Sequence, residues 1–235
     1  MSRRVASAEQ RMVRFADQVA ARIDAVVERL STVVDEIPSS GDEFGYFGDS
    51  TRQLLVDGGE DDVLAGAGYA VSYADRGCPP AMVWWAHRGD SVIERTHSVD
   101  PNSESFYDYA SLRWFRTAKD VGQVTLSGPF IDAWGADDYT VTLSLPVTGP
   151  TGALGVVAAD VDVRRFIASL IADLRGLSTP LALVNESDRV VVSTFPKLST
   201  GLPVRPRAAR RAAEADTLQR FPVSDYGWSV IPVAG

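Results

Sequence analysis

The amino-acid sequence predicts an α+β fold, in which a long N-terminal helix packs on a mainly antiparallel sheet of five or six strands. The helix is indicated by apolar residues that recur at steps of three and four from Phe15 to Ile37. The sheet is indicated by strict alternation of apolar and polar residues over Tyr139–Val147, which predicts a half-buried strand with Thr140, Thr142 and Ser144 on its polar face. A glycine- and proline-containing turn and a second apolar run, Ala153–Val163, follow directly. Two such runs joined by a short turn predict an antiparallel hairpin.

Composition excludes several classes of protein. The chain has 235 residues, a net charge of −8 and a sequence pI near 4.8, which lowers the expectation of binding to nucleic acid through the overall field. Its one cysteine, Cys78, cannot form an internal disulfide, and only two histidines are present. No nucleophile elbow, phosphate-binding loop or zinc-protease motif occurs in the sequence. We therefore expect no cofactor and no metal.

The first residues carry positive charges but no apolar segment of the kind found in secretion signals. No run of about 18 apolar residues occurs anywhere in the sequence, which is the length a membrane-spanning helix needs. Two explanations stay open: a segment of a membrane-tethered protein, or a soluble, cytoplasmic protein that does not contact a membrane. We favour the second, because the Met-Ser-Arg-Arg start is typical of a native N-terminus.

The first predicted element is a helix over Ala6–Ile37, ended by Pro38 and the small residues that follow. About 32 residues at 1.5 Å each give roughly 48 Å, which exceeds the width of a small domain. Two readings stay open: a dimerisation or signal-transmitting helix, or a helix packed along its own sheet. We assign residues 1–40 to this helix and residues 41–235 to one ligand-binding domain.

The middle of the chain is read as loops and strands. Asp42–Asp62 is acidic and glycine-rich, and is predicted as loop or short helix. Gly66-Ala67-Gly68 lacks the context of a dinucleotide-binding fingerprint and indicates a turn or tight packing. Strands are then predicted at Gly68–Ala74, Met82–His87 and Ser91–Thr96.

The last third of the chain again shows one helical pattern and several strand patterns. Arg164–Arg175 carries its apolar residues on one helical face. Two short apolar runs, Leu181–Val184 and Val190–Ser193, flank a turn and predict another hairpin. Trp228–Val233 is predicted as the closing strand.

The stretch from Phe106 to Phe166 is rich in aromatic residues and ends in the predicted hairpin. The order and spacing of its parts resemble the Cache-type extracytoplasmic sensor domain, a PAS-like fold that binds small ligands. The resemblance implies a PAS-like α+β sensor domain without a catalytic cofactor. It rests on four pieces: Trp114–Ala118, Gly128–Asp132, Thr140–Pro146 and Gly155–Asp160.

A ligand site needs apolar and aromatic walls with a few fixed polar groups. Candidate walls are Tyr107, Trp114, Phe115 and Phe130, and candidate anchors are Asp132 and Asp160. Asp160 follows small and apolar residues in a predicted buried strand, where a carboxylate is costly unless it is paired. Its partner is either a ligand ammonium or, as a purely structural alternative, backbone amides or Arg113 or Arg116.

The resemblance assigns roles to these positions. Amino-acid-sensing members carry a Tyr, an Arg, a Trp followed by an aromatic residue, a Pro-Tyr-x-Asp segment and a distal Asp. The matching positions here are Tyr107, Trp114, Phe115, Phe130 without the tyrosine hydroxyl, Asp132 and Asp160.

This sequence departs from those members at the arginine that binds the ligand carboxylate. Leu112 stands at its position, and Arg113 is the adjacent residue. One step along a strand or turn reverses the direction of a side chain, so the carboxylate-binding half of the site is in doubt. The resemblance therefore implies a cationic or zwitterionic ligand: an amine, a quaternary amine or an amino acid held through Arg113.

The sequence thus predicts a non-catalytic sensor module that binds a small amine-bearing metabolite and signals to a separate partner, such as a regulatory protein. A homodimer is favoured, with the long helix as one candidate for its seam. An enzyme or accessory subunit that acts on such a metabolite, with Asp132 or Asp160 as acid or base, is the alternative. A ligand-free interaction module is a third.

Overall fold

The computed structural model describes residues 7–35, 43–59, 62–71, 80–131, 139–149, 152–175, 177, 179–204 and 219–233. These residues divide into two compact units. The first comprises the described parts of residues 25–127 and 140–162, and the second those of residues 1–24, 128–139 and 163–235. None of the described helices combines the length and the apolarity that a bilayer-crossing segment needs.

The predicted N-terminal helix is confirmed as α1, Ala8–Val34. Its apolar stripe is buried within this single chain: Met12, Phe15, Val19, Ile23, Val26, Leu30 and Val33 are each at most 5% exposed. In the second unit, Arg22 of α1 forms an ion pair of 2.7 Å with Asp173. In the first unit, Arg29 forms one of 2.5 Å with Asp62. The stripe is therefore core, which is the second of the two sequence readings.

A six-stranded sheet carries the first unit and confirms the predicted fold class. Its strands lie in the order β3-β2-β1-β6-β5-β4, and the pairings β1–β2, β1–β6, β2–β3 and β5–β6 are antiparallel. The bounds are β1 Leu64–Val71, β2 Ala81–Arg88, β3 Ser91–Glu94, β4 Thr125–Ile131, β5 Tyr139–Gly149 and β6 Gly152–Asp162.

One face of this sheet is covered by α2, Glu43–Gly58, which packs on β1 and β2. The sequence predicted loop or short helix here; the helix alternative is confirmed, but the helix has 16 residues and is longer than expected. Phe47, Thr51 and Leu55 are spaced four apart and are all fully buried, so an apolar stripe was present despite the glycines. The ring centroid of Phe47 lies 4.7 Å from that of Tyr69 on β1. Tertiary burial here outweighs the poor helix propensity of glycine.

The opposite face is covered by α3, Arg113–Val121, a helix that the sequence reading treated as strand or turn. Leu112 has extended backbone angles and starts the helix, and Gly122 ends it with a φ of 68°. Trp114, Phe115 and Ala118 are its buried residues. They lie at spacings of one, three and four, which place them on the helix side that meets β6.

The prediction that β5 is half-buried was also wrong. Val141, Leu143 and Leu145 are at most 4% exposed, as expected, but Thr140, Thr142 and Ser144 on the other face are at most 5% exposed. The polar alternation in β5 therefore marks a buried polar face and not a solvent-exposed one.

The second unit contains a four-stranded sheet in the order β8-β7-β10-β9 and the helix α4, Val163–Arg175. Its strands are β7 Leu181–Val184, β8 Val190–Ser193, β9 Phe221–Val223 and β10 Trp228–Pro232. Three of these were predicted, and the β7–β8 hairpin is antiparallel as expected. The sequence reading missed β9, whose three residues include a proline. The assignment of residues 41–235 to one domain stays a prediction.

Candidate functional site

Two glycines on β1 allow a tryptophan to lie flat across the sheet. Gly68 pairs with Trp84 of β2 in the antiparallel register. A Cβ built on Gly68 would lie 2.5 Å from Cε3 of Trp84, and one built on Gly66 would lie 2.8 Å from its Nε1. The indole therefore occupies the space that side chains would take at both positions. The predicted tight packing at Gly66-Ala67-Gly68 is confirmed, within a strand.

Asp160 lies on β6 directly beside this indole. Its register partners are Gly66 on β1 and Thr142 on β5. The Thr142 hydroxyl donates a hydrogen bond of 2.6 Å to Oδ1 of Asp160. The carboxyl group is half-buried, with the edge of Trp84 across Gly66 on one side and Thr142 on the other. The bond from Thr142 holds the Asp160 carboxyl group in place on this face of the sheet.

The aromatic cluster that covers this face is built on α3 and the 3₁₀ turn Tyr109–Ser111. Trp114 lies 5.8 Å from Trp84 and 6.3 Å from Tyr109, between ring centroids. The Tyr109 hydroxyl donates to the carbonyl of Val71 and lies 3.1 Å from that of Ala81. The cluster rests on Val156 and Ala158 of β6, which share their face with Asp160. Trp84, Trp114 and Asp160 therefore belong to the same side of the sheet.

Phe115 and Tyr107, the other two aromatic residues predicted for this wall, differ in exposure. Phe115 is 1% exposed and meets Tyr109 edge-on at 5.2 Å, so it supports the wall from behind. Tyr107 is half-buried, packs against the cluster, and lies 4.9 Å from the ring of His97. The His97 ring nitrogen Nδ1 is 2.9 Å from the carbonyl of Arg95, which fixes the ring against Tyr107.

Leu112 and Arg113 take opposite environments. Leu112 is half-buried and packs against the aromatic cluster, whereas Arg113 is exposed at the first residue of α3. On a helix one residue step turns a side chain by about 100° around the axis. At position 112, where the resemblance implies an arginine that binds the ligand carboxylate, this chain thus carries a leucine that faces the cluster.

The two remaining predicted residues lie elsewhere. Phe130, at the end of β4, is 36% exposed and belongs to the second unit. Asp132 lies outside the described residues. Of the seven predicted residues, the structure brings Tyr107, Trp114, Phe115 and Asp160 to one face of the first unit.

Sequence reasoning missed Trp84, Thr142 and Ser144. Trp84 was assigned only to a strand, and its contact with Gly66 and Gly68 depends on the pairing of β1 with β2. Thr142 and Ser144 were assigned to the exposed face of β5. The signal that was available is the excess of hydroxyl residues on one face of a strand followed by a carboxylate on the next.

The chemistry of this face favours a cation. The described residues on this face of β5 and β6 include Thr142, Ser144 and Asp160, and no lysine or arginine. A half-buried carboxylate next to indole rings attracts an ammonium group by charge and by cation–π contact. Within the described ranges no three acidic, histidine or cysteine side chains lie close enough together to hold a metal ion.

Comparison with known proteins identifies the fold. No protein-family model matches the sequence, and a search of the curated proteins found no match either. Among solved structures, a histidine kinase extracellular domain shares a TM-score of 0.67 and 15% identity, covering 97% of this chain and 94% of that one. The ligand-binding domain of the Pseudomonas fluorescens chemoreceptor CtaA, solved with L-valine, gives 0.62 and 13%, covering 94% and 91%. That of the Pseudomonas aeruginosa amino-acid chemoreceptor PctC, solved with GABA, gives 0.58 and 13%, covering 94% of each.

These comparisons correct the predicted cytoplasmic location. The solved domains of this shape include extracellular domains of histidine kinases, so the fold points away from the cytoplasm. The expectation failed because the lack of a long apolar run in a sequence does not specify the compartment in which the protein lies. The chain has the Cache-type fold of chemoreceptor and histidine kinase sensor domains, as the resemblance predicted.

Proposed function

We propose that this chain is a non-catalytic, extracytoplasmic sensor module that binds a small amine-bearing metabolite on the face of the six-stranded sheet described above. The observation that carries the proposal is Asp160, a half-buried carboxylate that accepts a bond from Thr142 and lies beside the indole of Trp84. In this proposal a ligand ammonium binds between Asp160 and the indole rings, where charge and cation–π contact both favour it.

The solved relatives support the class of ligand. The chemoreceptor domains of the same shape were solved with L-valine, L-leucine, L-serine or GABA, all of which carry an amine. The amine-binding half of such a site has a counterpart here in Asp160. The carboxylate-binding half has no counterpart at Leu112, which carries no charge. The exposed Arg113 is the remaining candidate for binding a ligand carboxylate.

The output of the module passes, in this proposal, to a separate partner such as a regulatory protein, or through a homodimer. The α1 stripe is not the surface for either, since it is buried within the chain.

The test is a pair of matched ligands and a pair of matched variants. In a thermal-shift screen n-pentylamine should stabilise the protein and pentanoate should not, because an occupied site raises stability by about 2.7 kcal/mol at 100 times Kd. Asp160→Asn should weaken amine binding by roughly 2–5 kcal/mol, measured by calorimetry.

The control is Asp90→Asn, which removes an exposed carboxylate in the β2–β3 turn and should leave amine affinity unchanged. Pentanoate binding that is indifferent to Asp160→Asn would contradict the proposal and point to Arg113 instead.

A further inference from the structure

A serine next to the proposed ammonium site has a hydroxyl with no assigned partner. Ser144 of β5 is 0% exposed, and no described residue forms a hydrogen bond with its Oγ. Buried hydroxyls in proteins are nearly always hydrogen-bonded, to protein, water or ligand. The exception at Ser144 therefore calls for a partner that the described residues do not supply.

The position of Ser144 places it in the same site. It pairs with Ala158 of β6, one of the residues on which the aromatic cluster rests. Thr142, two residues earlier on the same strand face, donates to Asp160. Two residues along a strand span about 6.8 Å, so the Ser144 hydroxyl lies about that far from the carboxylate along the sheet.

Two further enclosed hydroxyl groups lie on the adjacent strand β4. On β4, which lies beside β5, Oγ1 of Thr125 and Oγ of Ser127 are also enclosed without a hydrogen-bond partner in the described part of the chain. Three of the enclosed, unpartnered side-chain atoms of the described residues are thus hydroxyls on these two adjacent strands. By contrast, the Thr142 hydroxyl is satisfied by Asp160.

We infer that Ser144 binds a second polar group of the ligand, and that this group is an uncharged hydroxyl or amide. The inference rests on the proposed function and narrows its ligand class to amines that carry such a group about four carbons away. An uncharged group fits because the described residues on this face of β5 and β6 supply hydroxyls and carboxylates but no cation. A ligand carboxylate beside the Ser144 hydroxyl would find no counter-charge among the described residues on this face of β5 and β6, which is unfavourable.

The experiment compares two ligands of equal length, 4-amino-1-butanol and n-pentylamine, which differ only by a hydroxyl in place of a methyl group. Calorimetry on the whole chain should show that the amino alcohol binds about tenfold more tightly, the scale of one hydrogen bond that satisfies a buried group. In Ser144→Ala this ratio should fall to about one. In the matched control Ser91→Ala, which removes an exposed hydroxyl from β3, the ratio should stay as in the unmodified protein.

The remaining outcomes distinguish failure of the Ser144 inference from failure of the proposed amine-binding function. Equal binding of both amines by the unmodified protein, or a preference that persists in Ser144→Ala, would overturn the inference and leave amine recognition standing. Failure of both amines to bind would overturn the proposed function and the inference together. The ligand-free Ser144→Ala protein should melt at the same temperature as the unmodified protein or higher, because the substitution removes an unsatisfied buried hydroxyl; a lower melting temperature would show that Ser144 is already bonded within the chain.

Discussion

Single side chains set the acid stability of the first unit. The side chain of Asp62 is 8% exposed, and its carboxylate receives two hydrogen bonds from Arg29, of 2.8 and 2.5 Å. Burial alone would raise the pKa of Asp62, but the hydrogen bond and charge of Arg29 and the amides of Val63 and Leu64 hold that pKa below its ordinary value. The pair also raises the pKa of Arg29.

The sign of the pH effect follows from the direction of this shift. A carboxyl group with a lowered pKa in the folded state stabilises the fold above its ordinary pKa, which is about 3.9, and this contribution is lost as the pH falls through the folded value. We expect the free energy of unfolding to decrease below about pH 4. Asp62→Asn should cost roughly 1–3 kcal/mol at neutral pH and reduce the acid sensitivity, measured by urea unfolding across pH.

Asp49→Asn provides the matched control, because Asp49 is an exposed carboxylate on α2. It should leave both the stability and its pH dependence unchanged. An acid profile that is the same in Asp62→Asn and in the unmodified protein would show that other carboxylates govern it.

The second residue that we expect to be critical is Gly68. A Cβ there would lie 2.2 Å from the carbonyl oxygen of Val83 and 2.5 Å from the Trp84 ring, so either the strands separate or the indole moves. Gly68→Ala should cost about 1–3 kcal/mol, the range for overpacking a filled core, and should weaken amine binding through Trp84. Unchanged near-ultraviolet circular dichroism and an unchanged melting temperature would contradict this prediction.

At the level of secondary-structure elements, α1 offers the clearest test. The side chains of Ile23 and Leu30 are 4% and 0% exposed, so a glutamate at either position would place an unpaired charge in the core. Ile23→Glu and Leu30→Glu should therefore unfold the protein, at a cost of roughly 3–5 kcal/mol, instead of yielding a folded monomer. Circular dichroism and sedimentation together distinguish these results.

Val13 supplies the matched control on the same helix. It is 45% exposed, and Val13→Glu should leave the fold intact. A folded, monomeric Leu30→Glu protein would show that the stripe is a dimer seam after all.

The whole molecule combines two units, each with its own sheet, and the single helix α1 supplies buried residues to both. Because the helix is continuous, its loss from one unit removes core residues from the other. We therefore expect a single calorimetric transition, with equal van't Hoff and calorimetric enthalpies. Two resolved transitions would show instead that residues 41–235 form more than one domain.

Much of the fold was predictable because local patterns in the sequence carry it. The 3.6-residue period of α1 and α4 and the antiparallel pairing of β5 with β6 depend on neighbours in the chain, and the structure confirms all three. The length of α2 was underestimated because glycines weakened its local signal, and α3 was missed because its aromatic residues favour strands when read without tertiary context.

The sequence by itself determined the α+β class, the N-terminal helix and the β5–β6 hairpin, and it identified Asp160 and Trp114 as candidate site residues. Only the tertiary structure decided which side chains share a face. Trp84 reaches Gly66, and Thr142 reaches Asp160, through strand pairings that join residues far apart in the chain. It also decided that the polar face of β5 is buried and that the α1 stripe is core. The physical reason is that burial depends on which elements pack against a surface, and the periodicity of one element does not specify which other elements pack against it.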